Sequence, residues 1–259
     1  MKFNTFGKNN APVIIMLAGS FCPGTSMENI YNELMKDYYI IVPDYNGHYE
    51  GSKDFTTRQN EAAELANYIQ KQGIPSVQLV YGQSMGSEVG IELISQLIGA
   101  GVDVENAVFD GAPCIRLSKA YKMLMLAKFR SMLKVFKGKS IDEVMDIGVI
   151  KNFSNGNAHS LEEMIVPMLG IAQFITNQSI KNEVECCYTF DFPEISEQVQ
   201  KRMHFFYAEE EKAYRTCFKY VKKAYPCANY RVEKGYGHLT YSQINRSEYI
   251  QWLRGICAE

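Results

Sequence analysis

Ser84 stands between two glycines in Gly82-Gln-Ser84-Met-Gly86, with an apolar run before it at 77–81 and a helix-period stretch after it at 87–98. Such glycines let backbone pass close to neighbouring elements while the serine is held in a strained conformation with its hydroxyl exposed. A hydroxyl is a poor nucleophile at neutral pH, so this chemistry needs a general base within hydrogen-bond reach. The chain has four histidines. His48 and His159 fall in expected loops and His204 in an expected strand. His238 instead closes Gly235-Tyr-Gly-His238, a glycine-flanked loop after the last strand that can swing an imidazole toward the serine. The base in turn needs a carboxylate to fix its tautomer and stabilise the imidazolium. Two positions compete for that task. Asp110 ends a strand in Phe109-Asp-Gly-Ala-Pro113, and Glu211 closes the acidic run Glu209-Glu-Glu211 after the strand at 203–207. Cleavage of an acyl bond also needs backbone N–H donors for the oxyanion. Met85, at the helix start after Ser84, supplies one; Ser20, with Phe21 next in order, supplies the second from the loop Ala18-Gly-Ser-Phe-Cys-Pro-Gly24.

These groups require a scaffold that gathers them at one end. Residues 13–18 are continuously apolar and run into Gly19, the pattern of a strand buried on both faces. Thr25 and Glu28 read as a capping box opening a helix over 26–37, and a strand at 39–42 closes at Pro43. A helix over 57–72 ends at Gly73, and strands at 77–81 and 107–110 flank the helix at 87–98. This alternation calls for a doubly wound, mostly parallel sheet with sites at the carboxyl ends of its strands. Residues 114–194 break the pattern and read as helical. Alternation resumes with a strand at 203–207, a helix at 211–225, a strand at 229–232 and a helix at 242–256. The expected organisation is one α/β core formed by 1–113 and 195–259, with 114–194 inserted as a helical cap.

Composition narrows the function classes. At 259 residues, 46% hydrophobic and 22% charged, the chain is an ordinary globular protein, and a net charge of −2 gives no field to gather nucleic acid. Seven cysteines without a CxxC pair or a dense framework fit a reduced, cytoplasmic setting better than a disulfide scaffold. The apolar run at 13–18 is too short to cross a bilayer, so no transmembrane segment is expected. No P-loop, G-x-G-x-x-G or metal-ligand spacing is present, so neither cofactor nor metal is expected.

Taken together, these motifs resemble the α/β-hydrolase superfamily in its capped, esterase-like branch. Leu17-Ala-Gly-Ser20 stands where that family has its H-G-x oxyanion motif, and Pro43-Asp-Tyr-Asn-Gly-His-Tyr-Glu-Gly-Ser52 resembles its P-D-x-x-G-H-G-x-S turn. Tyr207-Ala-Glu-Glu-Glu211 resembles Y-G-x-x-D, and Gly235-Tyr-Gly-His238 its histidine loop. The resemblance implies the order nucleophile, acid, histidine, which favours Glu211 over Asp110. It also implies a sheet shortened at its first edge, because residues 1–6 can supply one strand at most where the family has a hairpin.

The expected activity is hydrolysis of a carboxylic ester or related acyl bond through an acyl-enzyme on Ser84, with a small acyl compound as substrate. An acyltransferase would use the same residues, and a non-catalytic small-molecule binder could share the fold. Within the insertion, 116–139 carries eight basic residues and no acidic one. On a helical wheel Arg116, Lys119, Arg130, Lys134 and Lys137 gather opposite Leu117, Tyr121, Leu124, Met132 and Val135, a face suited to weak contact with a membrane surface or to plain solvation. Met123, Met125, Met132, Met164 and Met168 suggest an adaptable apolar lining or ordinary core.

Overall fold

The computed structural model describes residues 1–258. Its elements run β1 (Lys2–Phe6), β2 (Val13–Leu17), α1 (Glu28–Leu34), β3 (Tyr39–Asp44), α2 (Arg58–Lys71), β4 (Ser76–Val77), β5 (Leu79–Gln83) and α3 (Met85–Gly99). They continue as β6 (Asp103–Val104), β7 (Ala107–Asp110), α4 (Lys119–Phe136), α5 (Ile141–Met145), α6 (Gly148–Phe153), α7 (Glu162–Ile171), α8 (Asn177–Tyr188) and α9 (Glu197–Gln200). The chain closes with β8 (Met203–Ala208), α10 (Lys212–Ala224), β9 (Asn229–Glu233), α11 (Thr240–Ile244) and α12 (Arg246–Ala258).

Seven strands form one sheet in the order β1-β3-β2-β5-β7-β8-β9, parallel except for β1, which runs antiparallel to β3 at the edge. On that side of the described sheet, β1 is the single strand beyond β3. Alternation of the strand side chains divides the core in two. Ile14, Met16, Tyr81, Val108 and Phe206 pack on one face with α1 and α12. Ile15, Leu17, Val80, Phe109 and Phe205 pack on the other with residues of α2 and α3. Strands buried on both faces need the continuous apolar runs that the sequence supplies. β3 and β5 lie on opposite sides of β2, so the winding direction reverses there. The crevice beyond the carboxyl ends of β2 and β5 is therefore the switch point where sheets of this kind bind ligands.

Several local expectations give way. The helix expected from Thr25 has no side-chain cap; a 3-10 turn at Gly24–Met27 leads into α1, stitched by the Ser26 hydroxyl donating to the Pro23 carbonyl at 2.7 Å. The strand expected at 77–81 is two pieces, because Ser76–Val77 leaves the main sheet to pair with Asp103–Val104. The final helix is broken at Asn245 into α11 and α12. The segment from α4 to α9 is helical, as its lack of strand signals implied, and is pinned at its base by the bridge between Arg116 and Thr189. The inward face of α4 differs from the wheel expectation. Leu133 and Phe136 are buried, with Leu126 and Phe129 partly so, whereas Tyr121 and Leu124 are 63% and 61% exposed.

Candidate active site

Ser84 follows β5 with φ 51° and ψ −120°, a conformation that costs a non-glycine residue about 1–3 kcal/mol. The surroundings hold it there. Its N–H donates to the Asp110 carbonyl at 2.8 Å, and its own carbonyl accepts the Ser87 N–H at 2.9 Å. The flanking glycines answer to sterics: a Cβ on Gly86 would lie 2.1 Å from the Leu17 carbonyl oxygen, and one on Gly82 would lie 2.5 Å from that of Gly86. Only glycine lets α3 start this close to β2, and so aim the serine into the crevice.

His238 arrives from the loop after β9, with Leu239 behind it in the left-handed region at φ 60°. Its Nδ1 is hydrogen-bonded to Glu211 Oε2. The second carboxylate oxygen of Glu211 accepts the Ala208 N–H at 3.0 Å, so the acid is anchored to the end of β8 before it meets the imidazole. Both side chains are buried. Gly111, at φ 65°, closes the space behind them: a Cβ there would stand 2.3 Å from His238 Cε1 and 3.0 Å from Glu211 Oε2. The other two glutamates of the run do not join, Glu210 being paired with Arg215.

Asp110 is also buried, but its Oδ2 accepts the Tyr249 hydroxyl at 2.8 Å, and that hydroxyl lies 3.3 Å from the Tyr81 hydroxyl. Burial foremost, and then the nearby Glu211 charge, push its carboxyl up to about 7, against the opposing pull of Tyr249 and His238.

The loop after β2 borders Ser84, with a Gly19 Cβ position 3.4 Å from Ser84 Cβ. Among the described residues neither the Ser20 nor the Met85 N–H has a protein acceptor. The Phe21 N–H, second choice from the sequence, is engaged: it donates to Glu183 Oε2 at 2.9 Å and is not free to meet a ligand. Glu183 carries no signal in the sequence, and its partner His48, read there as a loop histidine, is fully buried. His159 is exposed, and His204 lies edge-on to Trp252 at 6.5 Å in β8. The basic residues Arg130, Lys134 and Lys137 line a groove of about 480 Å³ with Ile180 that includes none of Ser84, His238 and Glu211. All seven cysteines are free thiols. Among the described residues no cluster of three or more His, Cys, Asp or Glu could hold a metal ion, and no helix is long and apolar enough to cross a membrane.

The chain aligns in three dimensions with an α/β-hydrolase family protein of Desulfitobacterium hafniense at a TM-score of 0.74 and 16% identity, covering 98% of this chain and 99% of that one. It aligns with a thermophilic esterase of Thermogutta terrifontis at 0.71 and 15% identity, covering 98% and 93%. The fold is therefore the α/β-hydrolase fold, as the motifs implied. By sequence it is 31% identical over 100 residues to the 1H-3-hydroxy-4-oxoquinoline 2,4-dioxygenase of Pseudomonas putida, a stretch spanning 38% of this chain and 37% of that enzyme. No protein-family model matches the chain.

Proposed function

We propose that the protein is a serine hydrolase that cleaves a carboxylic ester or related acyl bond. The observation that carries this reading is the strained Ser84 at the switch point, whose N–H is held by the Asp110 carbonyl, one residue before the Gly111 that backs an imidazole engaged at Nδ1 by a buried carboxylate. In this reading Ser84 attacks the carbonyl while His238 Nε2 accepts its proton. Glu211 fixes the Nδ1–H tautomer and stabilises the imidazolium. The N–H groups of Ser20 and Met85 receive the oxyanion, and His238 returns the proton to the leaving group before water resolves the acyl-enzyme. The helical segment 114–194 acts as a cap over this chemistry, and the substrate is a small acyl compound. Fluorophosphonate labelling followed by an ester-length panel tests the reading. Ser84→Ala should abolish labelling and lower turnover by roughly three orders of magnitude or more while the protein stays folded. Undiminished labelling of that variant would remove Ser84 from the mechanism.

A second reading is favoured by the sequence match to the quinoline dioxygenase. A carboxylate-backed imidazole can equally take a proton from an acidic ring hydroxyl, leaving an anion for oxygen to attack. Oxygen uptake with a 3-hydroxy-4-oxoquinoline, undiminished in Ser84→Ala and lost in His238→Ala, would favour it over ester cleavage.

A further inference from the structure

His48 and Glu183 form a fully buried pair that joins three parts of the chain: the loop after β2, the turn after β3 and helix α8. His48 Nε2 lies 2.9 Å from Glu183 Oε1, and its Nδ1 lies 3.0 Å from the Cys22 carbonyl oxygen. A carbonyl can only accept, so Nδ1 carries a hydrogen. The bond to Glu183 then holds one further proton between the two groups, shared by the imidazole and the carboxyl. Burial is the largest influence on His48 and would strip that proton; the Glu183 charge, its hydrogen bond and the Cys22 carbonyl outweigh it and raise the pKa.

The remaining oxygen of Glu183 accepts the Phe21 N–H at 2.9 Å. The pair therefore grips residues 21 and 22 from both sides. These residues belong to a tight turn closed by the Cys22 N–H donating to the Gly19 carbonyl at 3.2 Å, with Phe21 at φ 61° in the place where such turns usually take glycine. A phenylalanine pays a steric penalty there, so the turn needs outside support. It has it in Glu183, in the burial of the Phe21 ring against Phe129 at 5.3 Å, and in Cys187, one helical turn beyond Glu183, whose sulfur lies 3.3 Å from the Ser20 hydroxyl. The peptide that Glu183 holds is the one directly after Ser20.

We propose that the His48–Glu183 pair is a strut that sets the 19–22 turn, and through it the direction of the Ser20 N–H, for the reaction proposed at Ser84. The inference rests on that reading for its catalytic consequence. Both are positioning residues, since neither faces the reacting atoms. A buried ion pair adds little net stability compared with apolar replacements, so its retention here is explained by the conformation it selects.

Three variants test the strut. Glu183→Gln retains an oxygen for Phe21 and an N–H for neutral His48, so it should keep kcat within about threefold of the parent. Glu183→Ala should lower kcat about tenfold or more with KM little changed, as misdirection of one oxyanion donor would. Because that variant leaves His48 unpaired, the double variant His48→Leu/Glu183→Met supplies a filled, uncharged core, and it should fold yet show the same kcat loss. A folded double variant with parental kcat overturns the strut. If the parent neither labels at Ser84 nor turns over esters, the hydrolase reading fails first. Amide exchange at Phe21 then decides: protection in the parent that is lost in the double variant supports the strut, and equal exchange refutes it.

Discussion

Glu211 reaches His238 although it is one methylene longer than aspartate, because its other oxygen is moored on the Ala208 N–H and the extra length is absorbed before the imidazole. Asp110, nearer the sheet, spends its carboxylate on Tyr249. In the proposed mechanism, Glu211→Gln should therefore lower kcat by about two to four orders of magnitude, since an amide neither fixes the tautomer nor stabilises the imidazolium. Asp110→Asn, which can still accept the Tyr249 hydroxyl, should stay within about tenfold in steady-state assays. The reverse ranking would move the acid to Asp110. Of the candidate site, the pairing of His238 with Glu211 was legible in the sequence, and Ser84 stood out with them, because each sits at a fixed offset from a strand end, where glycine or acidic neighbours mark the turn. Glu183 was not, since it lies in an undistinguished helical stretch 135 residues from His48, and no local pattern announces such a partner.

The elements around the site act through close approach more than through regular packing. Gly111 follows β7 directly behind His238 and Glu211, so Gly111→Ala should displace the imidazole and add the cost of a left-handed alanine. Its expected signature is a large loss of kcat in a protein that still unfolds cooperatively, checked by pairing kinetics with a urea melt; parental kcat would show that the space can relax. The core strands read clearly because both their faces are buried. Helix α4 did not, because apolar residues occupy nearly its whole circumference between Tyr121 and Leu126, and two stripes compete for the core. The stripe through Leu126, Phe129, Leu133 and Phe136 faces inward. Truncation separates the two stripes: Leu133→Ala should cost about 2–5 kcal/mol, and Leu124→Ala, at an exposed site, within about 0.5 kcal/mol. Equal losses in denaturant unfolding would restore the wheel-based orientation.

Across the whole molecule, the reversal of winding at β2 gathers the loops after β2, β5, β7, β8 and β9 at one end, and the same convergence brings two buried carboxyls near one imidazole. Glu211 is compensated by His238, whereas the Asp110 carboxyl is hydrogen-bonded to the Tyr249 hydroxyl of α12, in a network that runs on through Tyr81 to the side chain of Gln83. That carboxyl, raised from 3.8 to about 7 by burial and by the Glu211 charge, binds its proton more tightly in the folded chain than in the unfolded one. The sign follows from linkage: this group's contribution to stability is full below about pH 4, fades as pH rises toward 7, and is absent above it. Asparagine at 110 cannot ionise and keeps the bond to Tyr249. Asp110→Asn should therefore gain stability relative to the parent as pH rises from 5 to 8, measured by urea unfolding at each pH. The direction matters more than the size, because other groups titrate equally in both proteins and cancel in the difference. A stability difference that stays constant across that range, or shifts in the parent's favour as pH rises, would mean that Asp110 is already ionised in the folded protein and is held by a positive charge rather than by the tyrosine hydroxyls alone.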